Sequence, residues 1–93
     1  MKVSEILTER SWIRFAFATN ASGFSVAPED IDACKWCLAG AIRRCYAGPP
    51  RTEAFIRVNE HLVNMYGFDQ GAFSFNDTHT WKDIAEVIAA TEI

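Results

Sequence analysis

One string divides this chain more sharply than any other: Gly48-Pro49-Pro50. A proline has no amide N–H and clashes inside a helix, yet fits its first turn. Regular structure ahead of residue 48 must therefore end before it, and a new element can begin just after it. Both flanks carry apolar residues at helical spacing. Ahead of the break, Pro28-Glu29-Asp30 reads as a helix start, with acids where the amide dipoles point. The pattern predicts a helix over 29–46. Its main apolar stripe holds Ile31, Cys34, Leu38, Ala41, Ile42 and Cys45, and Ala33, Trp36, Gly40 and Ala47 form a second strip. A helix apolar around most of its girth is central in its domain. Gly40 costs about 1 kcal/mol relative to Ala in a helix interior, which points to another backbone passing close by. Behind the break, a helix is expected over 51–66, closed by Gly67, with Ala54, Phe55, Val58, Leu62, Met65 and Tyr66 inward. The tight link makes the two an antiparallel pair.

The remaining elements are shorter. Residues 3–10 read as a short helix capped by Ser4. Residues 12–18 alternate, with Ile13, Phe15 and Phe17 on one face and Arg14, Ala16 and Ala18 on the other. This period of two predicts a strand. Asn20-Ala21-Ser22-Gly23 supplies a turn and Phe24-Ser25-Val26 resumes the alternation, so a β-hairpin is expected over 12–26. The alternative is a first helix running on through Ala18. Residues 68–79 show no helical pattern. Thr80-x-x-Asp83 resembles a capping box opening a last helix over 80–91. The expected fold is therefore α+β: a mainly helical small single domain spanning 1–93, with a short N-terminal helix, a β-hairpin and then three helices.

Composition removes several classes of function. With 49% hydrophobic and 23% charged residues among 93, the chain is globular rather than disordered. Nine basic residues against twelve acidic ones leave a net charge of −3, which disfavours direct nucleic-acid binding through phosphates. No apolar run approaches the roughly 20 residues of a membrane span. Glu5, Glu9, Arg10 and Arg14 interrupt any signal-peptide pattern, so a cytoplasmic location with reduced thiols is expected.

Candidate chemistry is sparse. Cys34-x2-Cys37 with Cys45, His61 and His79 invites a zinc reading. In a continuous helix, however, Cys34 and Cys45 would stand about 16 Å apart, so packing is the better account and no metal or cofactor is expected. Cys37 opposite His61 would make a nucleophile–base pair, but nothing in the sequence supplies oxyanion donors. Asp77 and His79 suit acid–base work, although residues just ahead of a helix more often cap it. The remaining signal is aromatic. Phe68, Phe73 and Phe75 cluster in one irregular stretch and Phe15, Phe17 and Phe24 in the hairpin, more than a small core readily hides. Exposed apolar patches mark partner sites. The expected binding surface is Phe68, Phe73 and Phe75 rimmed by Arg43, Arg44 and Arg57.

Trp36-Cys37-Leu38-Ala39-Gly40-Ala41, preceded by Gly23-x-x-Val26 and Pro28 and followed by Asn76-Asp77, resembles an uncharacterised family of small phage and bacterial proteins. That family has a Trp-Cys-x-x-Gly-Ala core and a later Trp-Asn-Asp. Here Phe75 stands where the second tryptophan would be. The resemblance implies no activity, only the setting of phage and mobile-element accessory genes, with Trp36 and Gly40 packing and Asn76 and Asp77 capping.

Together these features predict a non-enzymatic accessory protein that binds a host protein or complex and blocks it sterically. Inhibition of a defence system, anti-CRISPR action included, is the expected kind of work, and a homodimer through the same patch is a companion expectation. The alternative is a small enzyme using His79 and Asp77, with Cys37 as a possible third group.

Overall fold

The computed structural model describes residues 1–93. Its elements are helix α1 (Val3–Ile6), strands β1 (Ala18–Thr19) and β2 (Lys35–Trp36), and helices α2 (Leu38–Cys45), α3 (Pro49–Tyr66), α4 (Gly71–Thr78) and α5 (Trp81–Thr91). The break at Gly48 works as the sequence requires. Gly48 takes a positive φ of 61°, and Pro49 and Pro50 fill the first turn of α3, where missing N–H groups cost nothing. Gly67 closes that helix in the left-handed region, its N–H donating to the carbonyl of Val63, while Phe68 N–H donates to Leu62. Ala54, Val58 and Leu62 of α3 meet Ile84, Val87 and Ile88 of α5 in the core. Leu38, Ala41 and Ile42 of α2 and Phe75 of α4 complete it. Trp81 and Ala85 of α5 are only half-buried.

The helix expected over 29–46 forms only in its second half. Residues 34–37 spend their backbone groups on another segment instead. Cys34 N–H donates to Thr19 O at 3.0 Å, Trp36 N–H to Ser11 O at 2.8 Å and Cys37 N–H to Phe17 O at 3.2 Å. These bonds draw Lys35–Trp36 into an antiparallel pair with Ala18–Thr19, in register Ala18 with Trp36 and Thr19 with Lys35. Cys37 then opens α2, its Sγ accepting the Gly40 N–H at 3.2 Å. Ile31 and Cys34, expected on the buried stripe, are exposed.

The expected hairpin is corrected by the same pairing. Its turn forms: Asn20 Oδ1 accepts the N–H groups of Ser22 and Phe24, each at 3.0 Å, and Gly23 has φ 84°. Residues 24–26, however, add one bridge, Thr19 with Ser25, and the main partner strand comes from 35–36. Residues 71–78, expected to be irregular, are helical. Helix α1 stops at Ile6 rather than 10, and Lys2, not Ser4, is its N-cap.

The close approach expected at Gly40 is present. A Cβ there would lie 1.9 Å from the Phe17 carbonyl oxygen, so only glycine lets β1 cross α2. No helix is long and apolar enough to cross a membrane. The fold is a small domain of five helices and a two-stranded antiparallel sheet.

Candidate functional site

Asn76 is wholly buried near the end of α4, and its amide reaches two separate parts of the chain. Its Oδ1 accepts the Trp12 indole N–H at 2.6 Å and the Leu38 backbone N–H at 2.9 Å. Its Nδ2 donates to Ile13 O at 3.0 Å. Leu38 N–H is one of the first-turn donors that a helix cannot satisfy itself. One side chain thus caps α2 and pins residues 12–13. Next to it, Asp77 Oδ1 accepts the backbone N–H of Phe15 at 2.8 Å. These two residues therefore do not cap the last helix, as the sequence suggests. Thr80 holds that N-cap position, its hydroxyl donating to Asp83 at 3.3 Å. A further tie comes from Arg14, whose guanidinium lies 4.9 Å over the Trp12 ring and donates to His79 O.

The latch sets the conformation of what it holds. Phe15 has φ 68°, a left-handed backbone that bulky residues avoid. Its ring is nonetheless 76% exposed, and Phe24 is 71% and Ile31 92% exposed. Phe17 is 39% exposed, with the Arg43 guanidinium 5.2 Å over its ring and the Phe73 ring 4.7 Å away. The exposed large apolar side chains of these two stretches therefore fall on residues 15–31 and not on 68–75.

The surface expected from sequence is redistributed accordingly. Phe75 is fully buried beneath the rings of His79, Tyr66 and Phe68, which removes it from any docking surface. Phe68 is half-buried against it. Phe73 and Arg43 both lie against the Phe17 ring. Arg44 instead donates to Asp30 O at 2.8 Å and Pro28 O at 3.3 Å, bracing the unwound segment from beneath. Arg57 donates to Thr91 O at the C-terminal end of α5. The alternation in the sequence puts Phe15 and Phe17 on one face with Ile13, and the structure leaves both phenylalanines exposed and Ile13 half-buried. Nothing in the local pattern reveals that Ile31 points outward.

A family model for a family of unknown function, DUF6197, matches residues 1–92. The chain belongs to DUF6197. No curated protein and no solved structure matches it. The DUF6197 match takes in Asn76 and Asp77 with the segment they hold, and the helical core.

Elsewhere in this DUF6197 chain, three titratable groups meet where α3 packs on α5. Glu86 Oε1 receives the Tyr66 hydroxyl at 2.6 Å and His61 Nε2 at 3.0 Å. The bonds from His61 and Tyr66 hold the Glu86 carboxyl below its ordinary range. The carboxylate in turn pushes the Tyr66 hydroxyl up to about 12, with burial adding to the effect. His79 stacks 3.7 Å from Phe75, its Nδ1 2.9 Å from Phe75 O. His79 and Asp77 make no hydrogen bond to one another. Asp77 faces Phe15 while the His79 ring faces the Phe75–Tyr66 cluster, so the two side chains of the alternative acid–base reading are turned apart.

The cysteines diverge. Cys37 is buried, and desolvation pushes its thiol above the ordinary range, away from thiolate reactivity. Burial also raises Cys45. Cys34 is exposed, which corrects its expected place in the core. No three His, Cys, Asp or Glu side chains gather into a metal-ligating group.

Proposed function

We propose that this DUF6197 chain is a non-catalytic protein-binding module whose working surface is Phe15, Phe17, Phe24 and Ile31, with Phe73 and Arg43 at its edge. The observation that carries the reading is Phe15. A bulky residue in the left-handed region costs on the order of 1–3 kcal/mol and persists only when its surroundings impose it. Here Asp77 imposes it, and the result is a ring pointed into water. Such an arrangement does nothing for the core. It suits an aromatic anchor preformed for a partner, since rigid aromatics lose little entropy on binding.

The partner is a host protein or complex and the mode is steric occlusion. An accessory role in a phage or mobile element, anti-defence action included, draws support from the Trp36-Cys37-x-x-Gly40-Ala41 resemblance. The test is capture of a defined host partner by the wild-type chain and by two variants. Phe15→Ala with Phe24→Ala should weaken capture at least about 30-fold, the scale of one strong anchor lost. His79→Ala should leave it intact. Loss of the biological effect in His79→Ala alone, with the fold retained, would overturn the reading in favour of an enzyme. Sedimentation over a range of concentrations identifies the case in which a second copy occupies the same face.

A further inference from the structure

Helices α1 and α5 leave an open groove of about 340 Å³ between them, within the range of small-ligand sites. Leu7 and Ile88 form its floor and are nearly closed to solvent, at 3% and 6% exposure. Ala85 and Ala89, one helical turn apart, keep the α5 side low, and Trp81 walls one end. The other end is polar. Val3 N–H donates to Ile93 O at 2.8 Å, laying the start of the chain beside the end of α5. Lys2 and Glu92 therefore both line the groove there, about 16 Å from Trp81 along the helix.

Neither of these two charges is spent within the protein. The ion pairs of the chain are Arg43 and Arg51 with Glu29, and His61 with Glu86. Glu5, the other acid nearby, is engaged by the backbone N–H of Lys2. The groove thus offers an ammonium and a carboxylate toward one end and an apolar trough leading to an indole at the other. We propose that it binds a free α-amino acid with a large apolar side chain. The ligand carboxylate pairs with Lys2, its ammonium pairs with Glu92, and its side chain runs over Ala89 toward Ala85 and Trp81. A fatty acid or an alkylamine would match the trough but satisfy one charge of the two. This inference is independent of the proposed binding surface and stands or falls without it.

The test is titration of the full chain with L-leucine and L-phenylalanine, followed by NMR at the Trp81 indole N–H. A saturable shift at Trp81, with Trp12 and Trp36 moving less, is the expected result. Lys2→Ala and Glu92→Gln should each weaken binding several-fold. Neither side chain forms an ion pair with the rest of the chain, so both variants should fold. Ala89→Leu should fill the trough and abolish the shift. N-acetyl-leucine and leucinamide, each lacking one charge, should bind more weakly than leucine. The proposal fails if Trp81 does not respond, if hexanoate or N-acetyl-leucine binds as well as leucine, or if Ala89→Leu binds as before. It also fails if Trp81 shifts with protein concentration alone, since a second copy would then fill the groove.

Discussion

The two halves of this domain are held together by different physics. Residues 38–93 are four helices whose apolar sides close on one another, with Ile42, Val58, Leu62, Phe75, Ile84 and Val87 all fully buried. Residues 8–37 contain two strands of two residues each, and Phe15, Phe24 and Ile31 stand in solvent. That half adds Ala18, Ala33, Trp36 and Cys37 to the core, and between them it is tied down by directed hydrogen bonds from the other: Asn76 to Trp12 and Ile13, Asp77 to Phe15, and Arg44 to Pro28 and Asp30. Burial is non-directional and tolerates exchange of similar volumes. Hydrogen bonds to buried polar groups are directional, and losing one partner strands the other. A segment fixed in the second way can hold side chains out of the core in a set conformation, which is what a binding surface needs.

The sharpest break of that comparison is Asn76→Ala. It strands the Trp12 indole N–H, the Leu38 N–H and the Ile13 carbonyl at once, and should cost about 3–5 kcal/mol in urea unfolding. Leu62→Ala, a pure loss of buried volume, should cost a similar amount, about 2–5 kcal/mol. The two should differ in kind: hydrogen exchange in the Asn76 variant should rise first across residues 12–19, and in the Leu62 variant across α3 and α5. A cost below about 1 kcal/mol for Asn76→Ala would mean that the latch is not what holds the N-terminal half.

Gly40→Ala probes the seam between the halves. A methyl group 1.9 Å from the Phe17 carbonyl forces β1 away from α2. The expected loss is about 2–3 kcal/mol, although alanine is the better helix former. An increase in melting temperature would show that the seam is slack.

Phe15→Gly should separate stability from binding. Glycine accepts φ 68° without strain, so the variant should be more stable by up to about 1 kcal/mol. Capture of the partner should nevertheless fall. Stability lost together with binding would place the ring in the fold rather than on display.

The smallest effect concerns the Glu86 cluster within the helical half. The Glu86 carboxyl is lowered by its bonds from His61 and Tyr66, so its contribution is present above the unfolded carboxyl value and fades as pH falls through the lowered one. Tyr66 behaves in the opposite sense. Its contribution is complete below the ordinary tyrosine value and is lost as pH rises through about 12. The Glu86 side chain is 45% exposed, so solvent screening keeps its share to about 0.5 kcal/mol. Glu86→Gln should flatten the acid limb, and tyrosinate absorbance should show Tyr66 titrating closer to its ordinary value.

The helical half was the legible one, and particular residues say why. Gly48, the two prolines and Gly67 bracket α3, and the stripe Ala54, Val58, Leu62 repeats at helical spacing, so local pattern and final burial agree. Gly40 was legible as a close approach because its cost within a helix needs a reason. Helix α4 was missed because Gly71 opens it and its inward residues are Ala72, Phe75 and an asparagine, a face that hydrophobic periodicity does not register. Of the surface expected from sequence, Phe75 proved to be core, and Arg44 and Arg57 spend their guanidinium groups on backbone carbonyls, pairings that lie far apart along the chain.

The sequence by itself determined the break at Gly48-Pro49-Pro50, the long helix α3 that follows from it, and the last helix α5. Those depend on residues near one another along the chain. Only the tertiary structure decided that residues 28–37 leave the helical state, that Asn76 caps a helix 38 residues away, and that Phe15 faces water. For residues 34–37 the helical pattern and the strand both satisfy local preference. The choice between them is made by the carbonyls of Ser11, Phe17 and Thr19 and the N–H of Ile13, which arrive only when the chain folds back on itself.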